Sequence, residues 1–104
     1  MKKSIIALTV LLSASNVAFA VDVPDTIKAD IKSRCSASMA EYGDSMIYSC
    51  AKLDIKGYIA AMEYKKSYPD IVARCEDTMD GYGWSMISSC AKLDIEARNK
   101  LSDL

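Results

Sequence analysis

The chain repeats itself. Residues 30–56 align with residues 70–96 at a shift of forty without a gap, and 17 of the 27 positions are identical. The identities include Ile31/Ile71, Arg34/Arg74, Cys35/Cys75, Met39/Met79 and Tyr42-Gly43/Tyr82-Gly83, and both copies carry Ser-Cys-Ala-Lys-Leu-Asp-Ile, at 49–55 and 89–95. A repeat of this length is one supersecondary unit, which buries its apolar face by packing against its neighbour. Two copies of the same local fold, side by side, are therefore expected in one small domain.

The period within each unit is helical. Ile27, Ile31, Cys35 and Met39 recur every four residues, as do Ile71, Cys75 and Met79. The following segments place Met46, Cys50 and Leu53, then Met86, Cys90, Leu93, Ala97 and Leu101, at spacings that gather them on one face of a helix. Pro24 and Pro69 suit a first helical turn, where a missing N–H costs nothing. Gly43 and Gly83 stop the first helix of each unit by taking a left-handed conformation, and Asp44 and Ser85 are placed to cap the helices that follow. The expected fold is all-α, with four helices near 24–41, 45–66, 69–81 and 85–101 forming two tandem antiparallel hairpins.

Cysteine placement sharpens that picture. Cys35 and Cys50 are equidistant from a point between Tyr42 and Gly43, and so are Met39 and Met46. Cys75 with Cys90, and Met79 with Met86, repeat the relation about the second turn. In an antiparallel hairpin such residues face each other. Four cysteines allow three pairings, and the symmetry selects Cys35–Cys50 and Cys75–Cys90. Each bridge closes a loop of about 15 residues, worth about 3 kcal/mol in the chain-entropy model. A domain this small needs such staples.

The start of the chain reads as an address. Met1-Lys2-Lys3 precedes the apolar run Ile5–Leu12, and Ala18-Phe19-Ala20 has the small-x-small form of a cleavage site. This is a secretory signal peptide cut after Ala20, directing the chain to the periplasm or outside the cell. The run is too short to span a bilayer, and no cysteine follows the cut to carry a lipid. Residues 21–104 then form the mature domain, with eleven basic and fourteen acidic side chains and a net charge of −3. No membrane span is expected after cleavage. A nucleic-acid partner would call for a basic balance.

Chemistry is sparse. Histidine is absent, which removes the commonest general base and metal ligand. The cysteines lack the short knuckle spacing of structural zinc sites and the Cys-x-x-Cys context of redox-active thiols. Met39, Met46, Met79 and Met86 could offer soft thioethers to copper, but methionine also fills gaps between helices. Asp30–Arg34, Asp70–Arg74, Asp94–Arg98 and Glu96–Lys100 are spaced for ion pairs along one helix. Glu76, Asp77 and Asp80 read as a solvated acidic face. No nucleophile–base pair, phosphate loop or carboxylate dyad stands out, so neither an enzyme nor a cofactor is expected. Tyr42, Tyr82 and Trp84 lie at the hairpin tips, where they either cap the ends of the small core or serve as the candidate binding residues, since aromatics with a polar handle favour both half-buried positions and interfaces.

The string Arg-Cys-x3-Met-x2-Tyr-Gly-x-Ser-Met-Ile-x-Ser-Cys-Ala-Lys-Leu-Asp resembles a motif of uncharacterised small exported proteins of proteobacteria, with a cysteine-paired helical hairpin. That resemblance implies export and no particular activity. The stapled hairpin is also similar in architecture to mitochondrial twin-cysteine hairpins, whose two bridges per hairpin and different spacing make this an analogy. The expected role is a non-catalytic protein-interaction or envelope-associated module with a protein partner. The alternatives are a soft-metal or stress-related binding protein, and an inhibitor or immunity-type protein.

Overall fold

The two prolines fix where their helices begin. A computed structural model describes residues 22–104, and Pro24 stands immediately before α1 (Asp25–Met39), its carbonyl accepting the N–H groups of Ile27 and Lys28. A single 3-10 turn (Ala40–Tyr42) and Gly43 lead into α2 (Asp44–Ser67). One residue, Tyr68, separates α2 from α3 (Pro69–Thr78). A residue before proline is pushed out of the helical region, and Tyr68 adopts φ −134° and ψ 58°. A turn containing Gly81 and Gly83 then joins α3 to α4 (Trp84–Leu101). Among the described residues there is no strand. The expected signal segment, 1–20, lies outside them.

Both expected bridges are present. Cys35 joins Cys50 with their Cα atoms 5.7 Å apart, and Cys75 joins Cys90 at 5.8 Å. Each ties the two arms of one antiparallel hairpin, α1 to α2 and α3 to α4. The four-helix, disulfide-stapled all-α fold follows directly.

Local expectations at the turns need correction. Gly43 and Gly83 have φ of 93° and 99° with ψ of 173° and 168°. That is an extended mirror-image conformation, essentially reserved for glycine, rather than the left-handed helical one. Each glycine is also the N-cap of the helix after it, so Asp44 and Ser85 lie inside the first turn and their side chains cap nothing. The helix expected over 69–81 ends at Thr78, where Met79 leaves helical geometry at φ −102° and ψ 22°, and Gly81 then turns the chain at φ 86°.

The buried face of the second arms differs from the cysteine-centred stripe. Leu53, Leu93, Leu101, Met46 and Met86 are exposed, whereas Ile87 and Ala91 are buried. Cys50 and Cys90 sit at the edge of the seam, where they reach the opposite arm. In α4 the face that meets the other hairpin is rotated by one residue from the cysteine stripe, to Ile87–Ala91–Ile95, and the equivalent positions of α2 are Ile47, Ala51 and Ile55.

Packing is unequal between the hairpins. α2 is six residues longer than α4, and its C-terminal half runs past its own hairpin onto the next. Ala61 there is buried with Ile71, Val72, Cys75, Ile87 and Ala91, and Met62, Tyr64, Tyr68 and Trp84 close around them. This single cluster is the largest core. The backbone of α1 packs against α2 and the turn beside it, and its Arg34 side chain reaches Gly83 at the tip of the second hairpin.

Candidate interaction surface

The junction between hairpins is built on Asp54. This residue is 3% exposed, in the middle of α2, and its carboxylate pairs with the Arg34 guanidinium of α1. Its other oxygen accepts the backbone N–H of Ser85 at 3.2 Å. The first N–H groups of a helix have no intrahelical acceptor, so Asp54 supplies α4 with a cap from thirty-one residues earlier in the chain. Close approach is required on both sides. A Cβ at Gly83 would meet Arg34 Nη1 at 2.6 Å and Asp54 Oδ2 at 2.7 Å. One at Gly57 would meet the Trp84 carbonyl carbon and Ser85 nitrogen at 2.5 Å.

Trp84 belongs to this junction. It is half-buried, and its ring meets Tyr58 edge-on with centroids 4.8 Å apart. Tyr42 and Tyr82 are 63% and 68% exposed at their respective turns. The three aromatics singled out from the sequence thus divide into one packed inside the molecule and two facing solvent.

The corresponding surface of the first hairpin is open. Ile31, Ile47, Ala51 and Ile55 line a groove of about 470 Å³ between α1 and α2, rimmed by Lys28, Lys32, Asp44 and Tyr48. Forty residues on, the same positions are Ile71, Ile87, Ala91 and Ile95, and there α2 fills the groove with Ala61 and its neighbours. Ile87 and Ala91 are sealed, while Ile47 and Ala51 remain half-exposed. Tyr48 is 65% exposed, with the Lys52 ammonium 5.5 Å from its ring centre. Sequence patterning did not isolate this groove, because the residues that line it recur in the buried copy; the signal was Lys32 and Asp44 standing where the second unit has Val72 and Trp84.

The charged pairs also run between helices rather than along them. Arg74 binds Asp94 at 2.7 Å, repeating Arg34–Asp54, and Arg98 binds Asp70 at 2.5 Å. The pairs expected along single helices at Asp30–Arg34, Asp70–Arg74 and Asp94–Arg98 give way to these contacts because the arginines reach across the hairpin, and Glu96–Lys100 does not form. Lys66–Glu63 is the one ion pair within a helix among the described residues. The hydrogen bond from Arg98 holds the Asp70 carboxyl below its ordinary value of 3.8 and raises the guanidinium in return.

Cys75, Cys90 and Asp94 place three potential ligand atoms close together. Both sulfurs are bonded to each other, which leaves the Asp94 carboxylate, already paired with Arg74, as the only hard donor. No family model, curated protein or solved structure matches the chain.

Proposed function

We propose that this protein is a non-catalytic protein-interaction module of an exported compartment, and that it works by seating an amphipathic helix in the groove between α1 and α2. The observation that carries the reading is the unequal fate of one surface. In the second hairpin the groove holds a helix and Ile87 and Ala91 are buried, whereas in the first Ile47 and Ala51 stay partly exposed along an open channel. A helix offering small residues four apart, as Gly57 and Ala61 do, fits closely against such a floor. Exposed Tyr42 and Tyr82 extend the contact surface at the hairpin tips. The two disulfides accord with an oxidising compartment, reached through cleavage after Ala20 into the periplasm. Among the described residues, no helix is long and apolar enough to cross a membrane. The family resemblance to small exported proteobacterial proteins is part of the same proposal.

The test is titration of the oxidised, isotope-labelled protein with a synthetic peptide spanning residues 57–67. Resonances of Ile47, Tyr48 and Ala51 should shift in a saturable way, and Tyr48→Glu should abolish the response. Shifts scattered over the surface, or none, would refute a helix-binding groove.

A further inference from the structure

The internal junction has two halves, and an unused copy of each half remains on the molecule. One half is a hairpin tip with its groove: Gly83, the Ser85 N–H and the Ile87–Ala91 floor. Its copy is Gly43, the Ser45 N–H and the Ile47–Ala51 floor, where no side chain caps α2 and a Cβ at Gly43 would meet nothing within 4 Å. The other half is an Arg–Asp pair followed by a helix: Arg34–Asp54 and the second half of α2. Its copy is Arg74–Asp94 followed by the end of α4, where Leu101 is 66% exposed.

We propose that a second copy of this chain fills the open groove, in a head-to-tail contact patterned on the internal one. The inference rests on the helix-binding reading above and names the occupant. In this arrangement Asp94 of one copy accepts the Ser45 N–H of the next, as Asp54 accepts that of Ser85. Side chains at the exchanged positions complement each other. Where Tyr58 meets Trp84 inside the chain, Arg98, which holds Asp70 of its own hairpin, faces Asp44 of the next copy. Where Ala61 is enclosed beside Val72, the larger Leu101 faces the groove beside Lys32, whose flexible stem leaves room. Asp103 follows at the end of α4, and Lys28 and Lys32 line the groove. One position fits poorly. Ala97 stands where the internal junction has Gly57, and a Cβ there presses on the facing backbone. The contact between copies is accordingly looser than its template, and its association is reversible.

Such a contact joins two different surfaces, so it extends into open chains unless one surface is blocked. That gives a decisive experiment by sedimentation of the oxidised protein over a wide concentration range. Wild type should gain mass with concentration and lose it in high salt, since exposed charges are screened. Ala97→Gly should strengthen association by roughly tenfold, by relieving the steric pressure. Tyr48→Glu in the groove and Leu101→Glu on the helix should each be monomeric, and an equal mixture of the two should form a discrete dimer and nothing larger. A wild type that stays monomeric to millimolar concentration, or single-surface variants that fail to pair, overturns the proposal. If the peptide 57–67 still binds the groove in that case, the helix-binding function stands and the second copy is the wrong occupant. If neither binds, both readings fall.

Discussion

The Asp54 carboxylate in α2 receives the Ser85 N–H of α4 while it holds Arg34 of α1, so one buried side chain joins three helices. Removing one partner of a buried pair strands the other charge, at a cost of about 3–5 kcal/mol. Asp54→Ala should therefore destabilise the domain by about 3 kcal/mol in a urea melt. Asp94→Ala removes the same residue type from an exposed pair and should cost no more than about 1 kcal/mol. Equal losses at the two positions would contradict the three-helix junction.

Glycine inside a helix normally invites improvement, since alanine is better there by about 1 kcal/mol. Gly57 should behave in the opposite way. Its added methyl would lie 2.5 Å from the backbone of Trp84 and Ser85, and backbone cannot rotate aside as a side chain can. Overpacking of that kind costs about 1–3 kcal/mol, so Gly57→Ala should lower the urea midpoint.

The tip aromatics should separate cleanly under truncation. Trp84→Ala removes a half-buried ring from the edge of the main core and should cost about 2–3 kcal/mol. Tyr82→Ala, at an exposed position, should stay within about 0.5 kcal/mol of wild type. Thermal melts of both variants check this, and a silent Trp84→Ala would show that the ring does not brace the hairpins.

Acid should expose the Asp70–Arg98 pair. Because the folded carboxyl titrates below its ordinary value of 3.8, its contribution is present above that pH and is lost as pH falls through the folded value. Asp70→Asn should remove that part of the acid dependence, flattening the stability profile below about pH 4 relative to wild type. Both groups are solvated, so the difference is small and reads best as a shift in the acid midpoint.

Much of this architecture is legible before any coordinates. Symmetry about two turns is enough to pair Cys35 with Cys50 and Cys75 with Cys90, because an antiparallel hairpin leaves few other partners within reach. Pro69 and the apolar spacing likewise mark the helices. What pattern could not resolve is how one hairpin lies on the other. Asp54 and Asp94 occupy the same place in identical Leu-Asp-Ile strings, yet one is buried and the other half-exposed, since only the first has a helix end brought against it. The repeat that made the fold readable also hid the groove. Identical residues line the filled and open copies, and the difference rests on substitutions such as Lys32 for Val72 and Asp44 for Trp84. Spacing of four likewise favoured ion pairs along one helix, and it says nothing about a neighbouring arm within reach of an arginine.

The extra length of α2 makes that helix common property, the second arm of one hairpin and the filling of the next. The halves of the molecule therefore cannot open independently from the middle. Amide protons of α2 should exchange with solvent only through global unfolding, since releasing that helix breaks open the whole core. The backbone of α1 packs on α2 and the adjoining turn, and only Arg34 reaches the second hairpin, so α1 can peel away, tethered at Cys35, once the Arg34–Asp54 pair opens. Its amides, aside from those near the bridge, should exchange first. Evolution of the two units has left a molecule with one indispensable rod and one detachable flap.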